Sequence, residues 1–383
     1  MYLYDGTREH YPGIVGDGIS DDTQAIQNAI DNNNVVILPP NCTFKITDTL
    51  EIDVKTLKLF DGNNSKIIVS GAFEAFHVSG LCTVSSNPSN QTDSVKEDEA
   101  ASIIRNVRII GTTSVVDASC GIKLSGCFKT RIENCYIYNV TDGIIISGIN
   151  RDLMFSGNQI YGVRRYGIHI DSTVNLHQFN IVNNIIHYAK YCIYLDDPEQ
   201  IANWQLSGND IEISYYPTAA MSSANLADYR CIVITSDNTK SGQLSEIEIT
   251  GNTIQGHNQS ETIIDISGGT GRYIQLISIS GNHISNLTGG AGVKLVKTNN
   301  VAISGNTFKY AADGGKCFSV ANSKNVSITG NTCDTVEHFA TIDNLSSNIV
   351  VVGNAGETSD TAIVSSASAG NLVAESNLFT TVA

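Results

Sequence analysis

Apolar and polar residues alternate along most of this chain in short segments that end in Gly-Asn or a close variant. Nine asparagines share this place in the phrase: Asn134, Asn158, Asn184, Asn209, Asn252, Asn282, Asn306, Asn331 and Asn354. Their successive spacings are 24, 26, 25, 43, 30, 24, 25 and 23 residues. A strand-type pattern at this period is typical of stacked turns that bury each other's apolar edges. The pattern therefore predicts a coiled solenoid.

A second short strand lies between most of these phrases, as in GIKLSG at Gly121, GIHIDS at Gly167 and CIYLDD at Cys192. Two or three short strands per turn leave no room for a crossover helix, so we expect an all-β, right-handed, single-stranded parallel β-helix. The repeated asparagines are expected at sharp left-handed turns and in a hydrogen-bonded ladder along the axis. An all-β sandwich with frequent Gly-Asn turns is the alternative, but a sandwich does not hold one motif in register over nine periods.

Composition and charge narrow the choice of partners. The 23 basic and 38 acidic residues give a net charge of −15, which argues against nucleic acid and anionic membranes as partners. No apolar run approaches the roughly 18 residues of a membrane span, so we expect no membrane insertion. Nine cysteines without a CxxC pair indicate buried thiols rather than a zinc site, and no metal or other cofactor is predicted.

Residues 12–52 contain a Gly-rich turn, a short amphipathic segment and a strand. Asp21 and Gln24 are spaced as a capping box, and Ala25, Ile26, Ala29 and Ile30 form one apolar face. We expect a helix here that covers the open end of the solenoid. The acids Asp17, Asp21 and Asp22 suit a turn and a helix N-terminus better than a metal or catalytic site.

The stretch GDGISDDTQAIQNAI, followed by VVILPPNCTFKI, resembles the N-terminal signature of the pectate-lyase-like superfamily, in the branch of phage tailspikes and polysaccharide depolymerases. The resemblance implies a polysaccharide or oligosaccharide substrate, an extracellular or virion-associated location and a homotrimer. It does not imply one reaction, because such proteins include hydrolases, lyases, epimerases and fibres without activity. The predicted division is a cap over 1–60, a β-helix over 61–355 and a C-terminal tail or cap over 356–383.

Aligning the second strands predicts which side chains face solvent in columns. One column contains His169, Tyr194 and Asp265, and another contains Asp171 and Asp196. Turns about 4.8 Å apart would hold the carboxyls of Asp171 and Asp196 at roughly the 5–5.5 Å of a retaining glycosidase pair. These two aspartates are the predicted catalytic pair, although acids at strand ends also commonly solvate a turn.

The 43-residue interval between Asn209 and Asn252 is longer than the others, and long loops on a regular scaffold often carry function. Other residues predicted to bind substrate flank the proposed groove: His169, Tyr194, Arg164, Arg165, Glu199, Trp204, Tyr215, Tyr216, Arg230 and Asp265. Aromatic side chains here would stack on sugar rings, and arginines would bind a sugar carboxylate. For Trp204 burial in the core is an equal alternative, and for Arg164 and Arg165 solvation of a turn is an equal alternative.

Three functions remain open from the sequence. The first is a glycoside hydrolase that uses Asp171 and Asp196 as the acid/base and nucleophile pair. The second is a polysaccharide lyase in which His169 or Tyr194 removes the proton alpha to a uronate carboxylate. The third is a fibre protein that binds glycan without cleaving it.

Overall fold

The computed structural model describes residues 12–83, 91–92, 94–98, 101–112, 119–213, 228–237, 239–257, 261–269, 271–285, 290–310, 315–366 and 370–381. The chain divides into two units, Met1–Ile186 with Pro217–Ala220 and His187–Tyr216 with Met221–Ala383. Each unit is a stack of turns with three short parallel strands per turn, which form sheets named A, B and C. The predicted division into cap, β-helix and tail stays a prediction.

The first unit begins with helix α1 (Thr23–Asn32) among its first strands. Its sheet A contains β1 (Asp17–Asp21), β3 (Thr43–Ile46), β6 (Lys66–Val69), β9 (Arg108–Gly111), β12 (Tyr136–Tyr138) and β15 (Gln159–Tyr161). Its sheet B contains β2 (Val35–Ile37), β5 (Leu59–Asp61), β8 (Ile103–Arg105), β11 (Arg131–Glu133), β14 (Ile149–Ser156) and β17 (Asn175–Val182). Its sheet C contains β4 (Leu50–Asp53), β7 (Glu74–Ser79), β10 (Cys120–Ser125), β13 (Asp142–Ser147) and β16 (Tyr166–Ile170). A π-helical turn spans Ser94–Asp98, and β18 (Ile185–His187) contains the boundary between the units.

The second unit repeats the same order of strands. Its sheet A contains β21 (Asp210–Glu212), β24 (Thr253–Gln255), β27 (His283–Ser285), β30 (Thr307–Lys309), β33 (Thr332–Val336), β36 (Ala355–Thr358) and β39 (Leu378–Thr381). Its sheet B contains β20 (Gln200–Ser207), β23 (Leu244–Thr250), β26 (Ile274–Ser280), β29 (Thr298–Ser304), β32 (Lys324–Thr329), β35 (Ser347–Val352) and β38 (Gly370–Glu375). Its sheet C contains β19 (Tyr191–Asp196), β22 (Arg230–Thr235), β25 (Thr262–Ser267), β28 (Ala291–Val296), β31 (Lys316–Ala321), β34 (His338–Ile342) and β37 (Ile363–Ser365).

Apolar side chains fill the interior of each unit in columns. In the first unit, Ile122, Ile144 and Ile168 are partners on successive sheet C strands, and all three are fully buried. Parallel strands in register place identical positions of successive turns on top of each other, so one apolar column continues through the stack. Among the described residues, no helix is long and apolar enough to span a membrane.

The asparagine ladder is confirmed within each unit. In the second unit, Asn282 donates from its carboxamide to Asn306 Oδ1 at 2.9 Å, and Asn252 donates to Asn282 Oδ1 at 3.0 Å. The ladder in this unit continues beyond the predicted positions to Asn377, whose Oδ1 accepts from Asn354. These side chains satisfy buried backbone groups at each turn where they occur.

The sequence assigned both the left-handed turn and the ladder to each of the nine asparagines, and this is partly wrong. The eight asparagines from Asn158 to Asn354 take ladder positions but do not have the left-handed backbone conformation. Asn134 lies outside the ladder, and the ladder position of its turn is taken by Cys135, whose backbone N–H donates to Asn158 Oδ1 at 2.9 Å. Asn134 instead has φ +53°, like Gly157 with φ +66° one turn later. The left-handed turn is therefore made by the residue before the ladder position, which is glycine in most later turns.

The helix α1 forms as predicted, with Ile26, Ala29 and Ile30 buried against the first turn. The predicted capping box is wrong, since the N-cap residue is Asp22 and no side chain caps the helix. Asp21 instead accepts hydrogen bonds from Thr23 and Thr47. The fully buried carboxylate of Asp22 accepts from the backbone of Val15 and Gly16, which confirms its structural role.

Candidate functional site

The outward face of sheet C carries the columns that the sequence predicted. In the first unit Lys123, Ile145 and His169 are partners on β10, β13 and β16. In the second unit Tyr194, Val233, Asp265 and Lys294 are partners on β19, β22, β25 and β28. The register of these columns is therefore confirmed within each unit, but the prediction that every position faces solvent is wrong at Val233, which is buried.

In the first unit, a row of cationic, aromatic and acidic side chains runs along β16. The guanidinium of Arg165 lies 4.9 Å from the ring centroid of Tyr166, and the rings of Tyr166 and His169 stack with centroids 4.2 Å apart. Arg165 also donates two hydrogen bonds, of 2.9 and 2.5 Å, to the buried carboxylate of Asp142. These bonds raise the pKa of Arg165 above its usual range. Asp142 therefore already balances the charge of Arg165.

Asp171 ends this row just beyond β16. Its Oδ1 accepts hydrogen bonds from the backbone N–H of Thr173 at 2.8 Å and from the Thr173 hydroxyl at 2.6 Å. Short polar side chains commonly fold back in this way on the residue two positions later. The carboxylate is thus held in a fixed orientation at the surface.

In the second unit, a row of the same residue types runs along β19. Lys190 lies 5.3 Å from the ring centroid of Tyr191, and the rings of Tyr191 and Tyr194 are 5.0 Å apart. The Tyr194 hydroxyl lies 3.5 Å from Asp196 Oδ1. Both rows therefore run in the order cation, tyrosine, second ring and aspartate with identical spacing, at 165–171 and at 190–196.

Asp171 belongs to the first unit and Asp196 to the second. The pairing of these two carboxylates stays a prediction.

The other predicted residues of the second unit differ in their surroundings. Arg230, beside Tyr191 in the register, lies 3.3 Å from Glu261. Asp265 forms an ion pair of 3.0 Å with Lys294. The half-exposed carboxylate of Glu199 lies 3.9 Å from Lys240 Nζ.

Trp204 was assigned wrongly, because its side chain is only 1% exposed and belongs to the core. Trp204 lies between the exposed residues Asn203 and Gln205 of β20 and on the same buried face as Leu206. Arg164 is partly exposed on the turn before β16, where its backbone N–H donates to Val140. Tyr215 and Tyr216 lie outside the described residues.

Sequence reasoning missed a polar groove of about 720 Å³ in the first unit, next to sheet A. Arg108, Asn134, Tyr136 and Gln159 are among its lining residues. Alternating polar positions in β9, β12 and β15 carried the signal, but a single sequence does not separate a ligand-binding row from ordinary surface.

Two clusters of the second unit were also missed. His187 Nε2 lies 3.3 Å from Asp210, and its Nδ1 lies 3.8 Å from Glu212. Near the C-terminal end, Glu337, His338 and Asp360 each bring one possible metal-ligand atom within 4.8 Å of the others. The strand periodicity of β21 places Asp210 and Glu212 on one face, which was the available signal for the first cluster.

Comparison with known proteins agrees with the architecture. Residues 65–236 match the family profile described as the right handed beta helix region. A search of curated protein sequences finds no match.

Solved structures share the fold at low sequence identity. The A-module of a mannuronan C-5 epimerase from Azotobacter vinelandii is 14% identical, with TM-score 0.55, and the alignment covers 98% of this chain and 99% of that chain. A mutant tailspike protein of E. coli bacteriophage HK620, in complex with a pentasaccharide, is 11% identical, with TM-score 0.53 and coverage of 93% and 77%. The catalytic unit of an α-1,3-glucanase from Streptomyces thermodiastaticus is 14% identical, with TM-score 0.51 and coverage of 96% and 67%.

The three parallel sheets, the buried asparagine ladder and these comparisons together identify the chain as a right-handed parallel β-helix protein, the fold that its N-terminal resemblance predicted.

Proposed function

We propose that this chain is a polysaccharide depolymerase, and specifically a glycoside hydrolase acting on a bacterial surface or other complex polysaccharide. The observation that carries the proposal is the row of cation, tyrosine, second ring and aspartate. This row occurs at 165–171 and again at 190–196, on the outward face of sheet C. Solved structures with this fold include a mannuronan C-5 epimerase, an α-1,3-glucanase and a tailspike protein in complex with a pentasaccharide. These proteins support a polysaccharide as the class of substrate.

Each row offers what recognition of sugars needs. Half-buried aromatic rings such as Tyr166 and Tyr191 present apolar faces to the C–H groups of a sugar, and the adjacent polar groups bind its hydroxyls. The cation beside each ring holds its plane in place through the ring's negative face. Within each row, the strand fixes the spacing between the rings and the carboxylate.

In the proposed reaction Asp171 and Asp196 are the two carboxylates. Asp171, oriented by Thr173, acts as the nucleophile that attacks the anomeric carbon and forms a glycosyl ester as the glycosidic C–O bond breaks. Asp196, beside the Tyr194 hydroxyl, acts as the acid that protonates the leaving oxygen. It then acts as the base that activates the water that cleaves the ester and frees Asp171. Elimination is less well supported, because the Asp142 carboxylate already balances the charge of Arg165, one of the two arginines, with Arg164, that were expected to neutralise a uronate.

The test is the release of reducing ends by Asp171→Asn and Asp196→Asn variants. Loss of an acid, base or nucleophile is expected to lower the rate by about 10²-fold or more. Asp53→Asn is the matched control, because Asp53 is an exposed aspartate of sheet C whose Oδ1 accepts from Lys55 N at 2.8 Å, in the same turn geometry as Asp171. Near-normal activity in either test variant would remove that residue from the mechanism.

The proposal includes an extracellular or virion-associated location and a homotrimer, both taken from the sequence resemblance. Light scattering after size exclusion measures the assembly. A monomeric mass at micromolar concentration would contradict the homotrimer without affecting the hydrolase proposal.

A further inference from the structure

The polar groove next to sheet A of the first unit carries a second set of sugar-binding features. Its volume is about 720 Å³, and it lies over turns that lead from sheet B into sheet A. Side chains with amide, guanidinium and phenol groups line it: Asn64, Asn106, Arg108, Asn134, Tyr136 and Gln159. None of these residues belongs to the rows on sheet C.

In a chain of net charge −15, Arg108 lines the groove, and a second cation, Lys66, lies on the strand next to it. Arg108 on β9 and Lys66 on β6 are register partners, so their backbones lie about 4.8 Å apart. Within the part of the chain that the structure describes, neither side chain forms an ion pair, whereas nearby Arg105 is paired with Asp61 at 2.8 Å. Adjacent cations repel each other, so an anion bound between them would be stabilised.

Aromatic rings continue from Arg108 along sheet A. The Arg108 guanidinium lies 5.5 Å from the ring centroid of Tyr136. The ring of Tyr136 lies 6.1 Å from that of Tyr138, which lies 6.4 Å from that of Tyr161. The three rings form a partly exposed surface that leads away from the two cations.

In the turns that lead into sheet A at the groove, asparagine takes the left-handed backbone position that favours glycine. Asn64, Asn106 and Asn134 have φ of +61°, +54° and +53°. Most later turns use glycine at this position, such as Gly157 and Gly251, although Asn183 also occupies it away from the groove. Glycine adopts this conformation without strain, so local folding alone does not require asparagine. The asparagines add carboxamide groups where they line the groove.

Gly157 in turn leaves room for one of those groups. A Cβ atom on Gly157 would lie 2.5 Å from Asn134 Oδ1, whereas a Cβ atom on Gly251 would meet no atom within 4 Å. The Asn134 carboxamide therefore extends over the next turn and into the groove.

From this arrangement we propose that the sheet A groove of the first unit is a binding site for an acidic saccharide, separate from the rows on sheet C. Arg108 and Lys66 bind a sugar carboxylate, the Tyr136 ring packs against a sugar face, and Asn134 and Gln159 bind hydroxyls. A site of this kind anchors an acidic polymer on the protein without taking part in its cleavage.

Isothermal titration calorimetry with two acidic probes, oligogalacturonate and oligoglucuronate, tests the site. The affinity of each probe is compared with that of its carboxyl-reduced form of the same length and linkage. We expect at least one acidic probe to bind, and its carboxyl-reduced form and the Arg108→Gln variant each to lose about tenfold in affinity or more. The matched control is Arg131→Gln on sheet B, where Arg131 is half exposed and lies 3.8 Å from Glu133. This control is expected to bind like the wild type.

Tyr136→Ala and Asn134→Gly give a second, independent test of the same surface, and both are expected to weaken binding while the thermal unfolding midpoint stays within a few degrees of wild type. No binding of either acidic probe, equal affinity for acidic and reduced probes, or equal losses in Arg108→Gln and Arg131→Gln would overturn the proposal. Asp171→Asn is expected to bind the acidic probe normally. Failure of this site and failure of the hydrolase proposal are therefore separate results.

Discussion

Removing one carboxamide from the buried ladder of the second unit, as in Asn282→Ala, is expected to cost far more stability than its size suggests. Asn282 is 2% exposed. Its side chain accepts from the backbone and side-chain amides of Asn252 at 2.9 and 3.0 Å, and donates to Ile249 O and Asn306 Oδ1 at 2.9 Å each. Alanine removes all four hydrogen bonds.

The magnitude follows from what each former partner retains. The Asn252 carboxamide still donates to Leu206 O, and Asn306 Oδ1 still accepts from the Asn282 backbone. The Asn252 backbone N–H is left without this acceptor in a buried site, at a cost of about 1–3 kcal/mol. Three further lost hydrogen bonds contribute about 1 kcal/mol each, so the free energy of unfolding is expected to fall by about 4–6 kcal/mol.

Urea-induced unfolding followed by circular dichroism measures this difference. The control is Asn325→Gly, which removes an exposed carboxamide that also bonds to asparagines above and below, at 2.9 Å to Asn299 and 2.9 Å to Asn348. Water replaces those bonds, and glycine tolerates the φ of +54°, so the expected change is below about 1 kcal/mol. A loss below about 1 kcal/mol in Asn282→Ala, or equal losses in both variants, would refute the reasoning.

Three smaller predictions follow. Gly157→Ala should destabilise more than Gly251→Ala in the same urea assay, because both add strain of about 1–2 kcal/mol at a positive φ but only the first forces Asn134 to move; equal losses would contradict the contact. Cys42, the one cysteine of the nine that is not buried, should react with Ellman's reagent faster than Cys135, whose pKa burial raises to about 12. The fast reaction should be lost in Cys42→Ser, and an unchanged fast reaction in that variant would argue against the packing. Hydrogen bonds from Thr23 and Thr47 lower the pKa of Asp21 below its ordinary value of 3.8. The ionised Asp21 carboxylate therefore stabilises the fold above pH 3.8, and this stabilisation is lost as the pH falls through the lower pKa of the folded state. The urea midpoint should fall less between about pH 5 and about pH 3 in Asp21→Asn than in the wild type, and an equal fall would exclude this role.

The architecture was predictable from the sequence because each turn needs a left-handed residue followed by a buried hydrogen-bonding side chain, and both needs recur at a fixed period. The assignment failed at Asn134 because asparagine satisfies either need. Gly157 followed by Asn158 is unambiguous, but in the segment Asn134-Cys135 the asparagine makes the turn and the cysteine takes the ladder position. The identity of a residue alone does not say which of the two positions it occupies.

The candidate site was less predictable than the fold. Strand alternation gave the outward positions of His169 and Tyr194 correctly. Trp204 was assigned to substrate binding without this test, and the alternation of β20 places it on the same buried face as Leu206. The sheet A groove was missed because Arg108 and Tyr136 are 28 residues apart and meet only when successive turns stack.

The most direct test of the proposed hydrolase is to digest a panel of bacterial surface polysaccharides with the wild-type protein and to measure new reducing ends together with the ultraviolet absorbance of unsaturated sugars. The account predicts new reducing ends on at least one polymer, without new absorbance, and their loss in both Asp171→Asn and Asp196→Asn but not in Asp53→Asn. New absorbance in step with cleavage, or glycan binding with no new ends on any polymer, would contradict it.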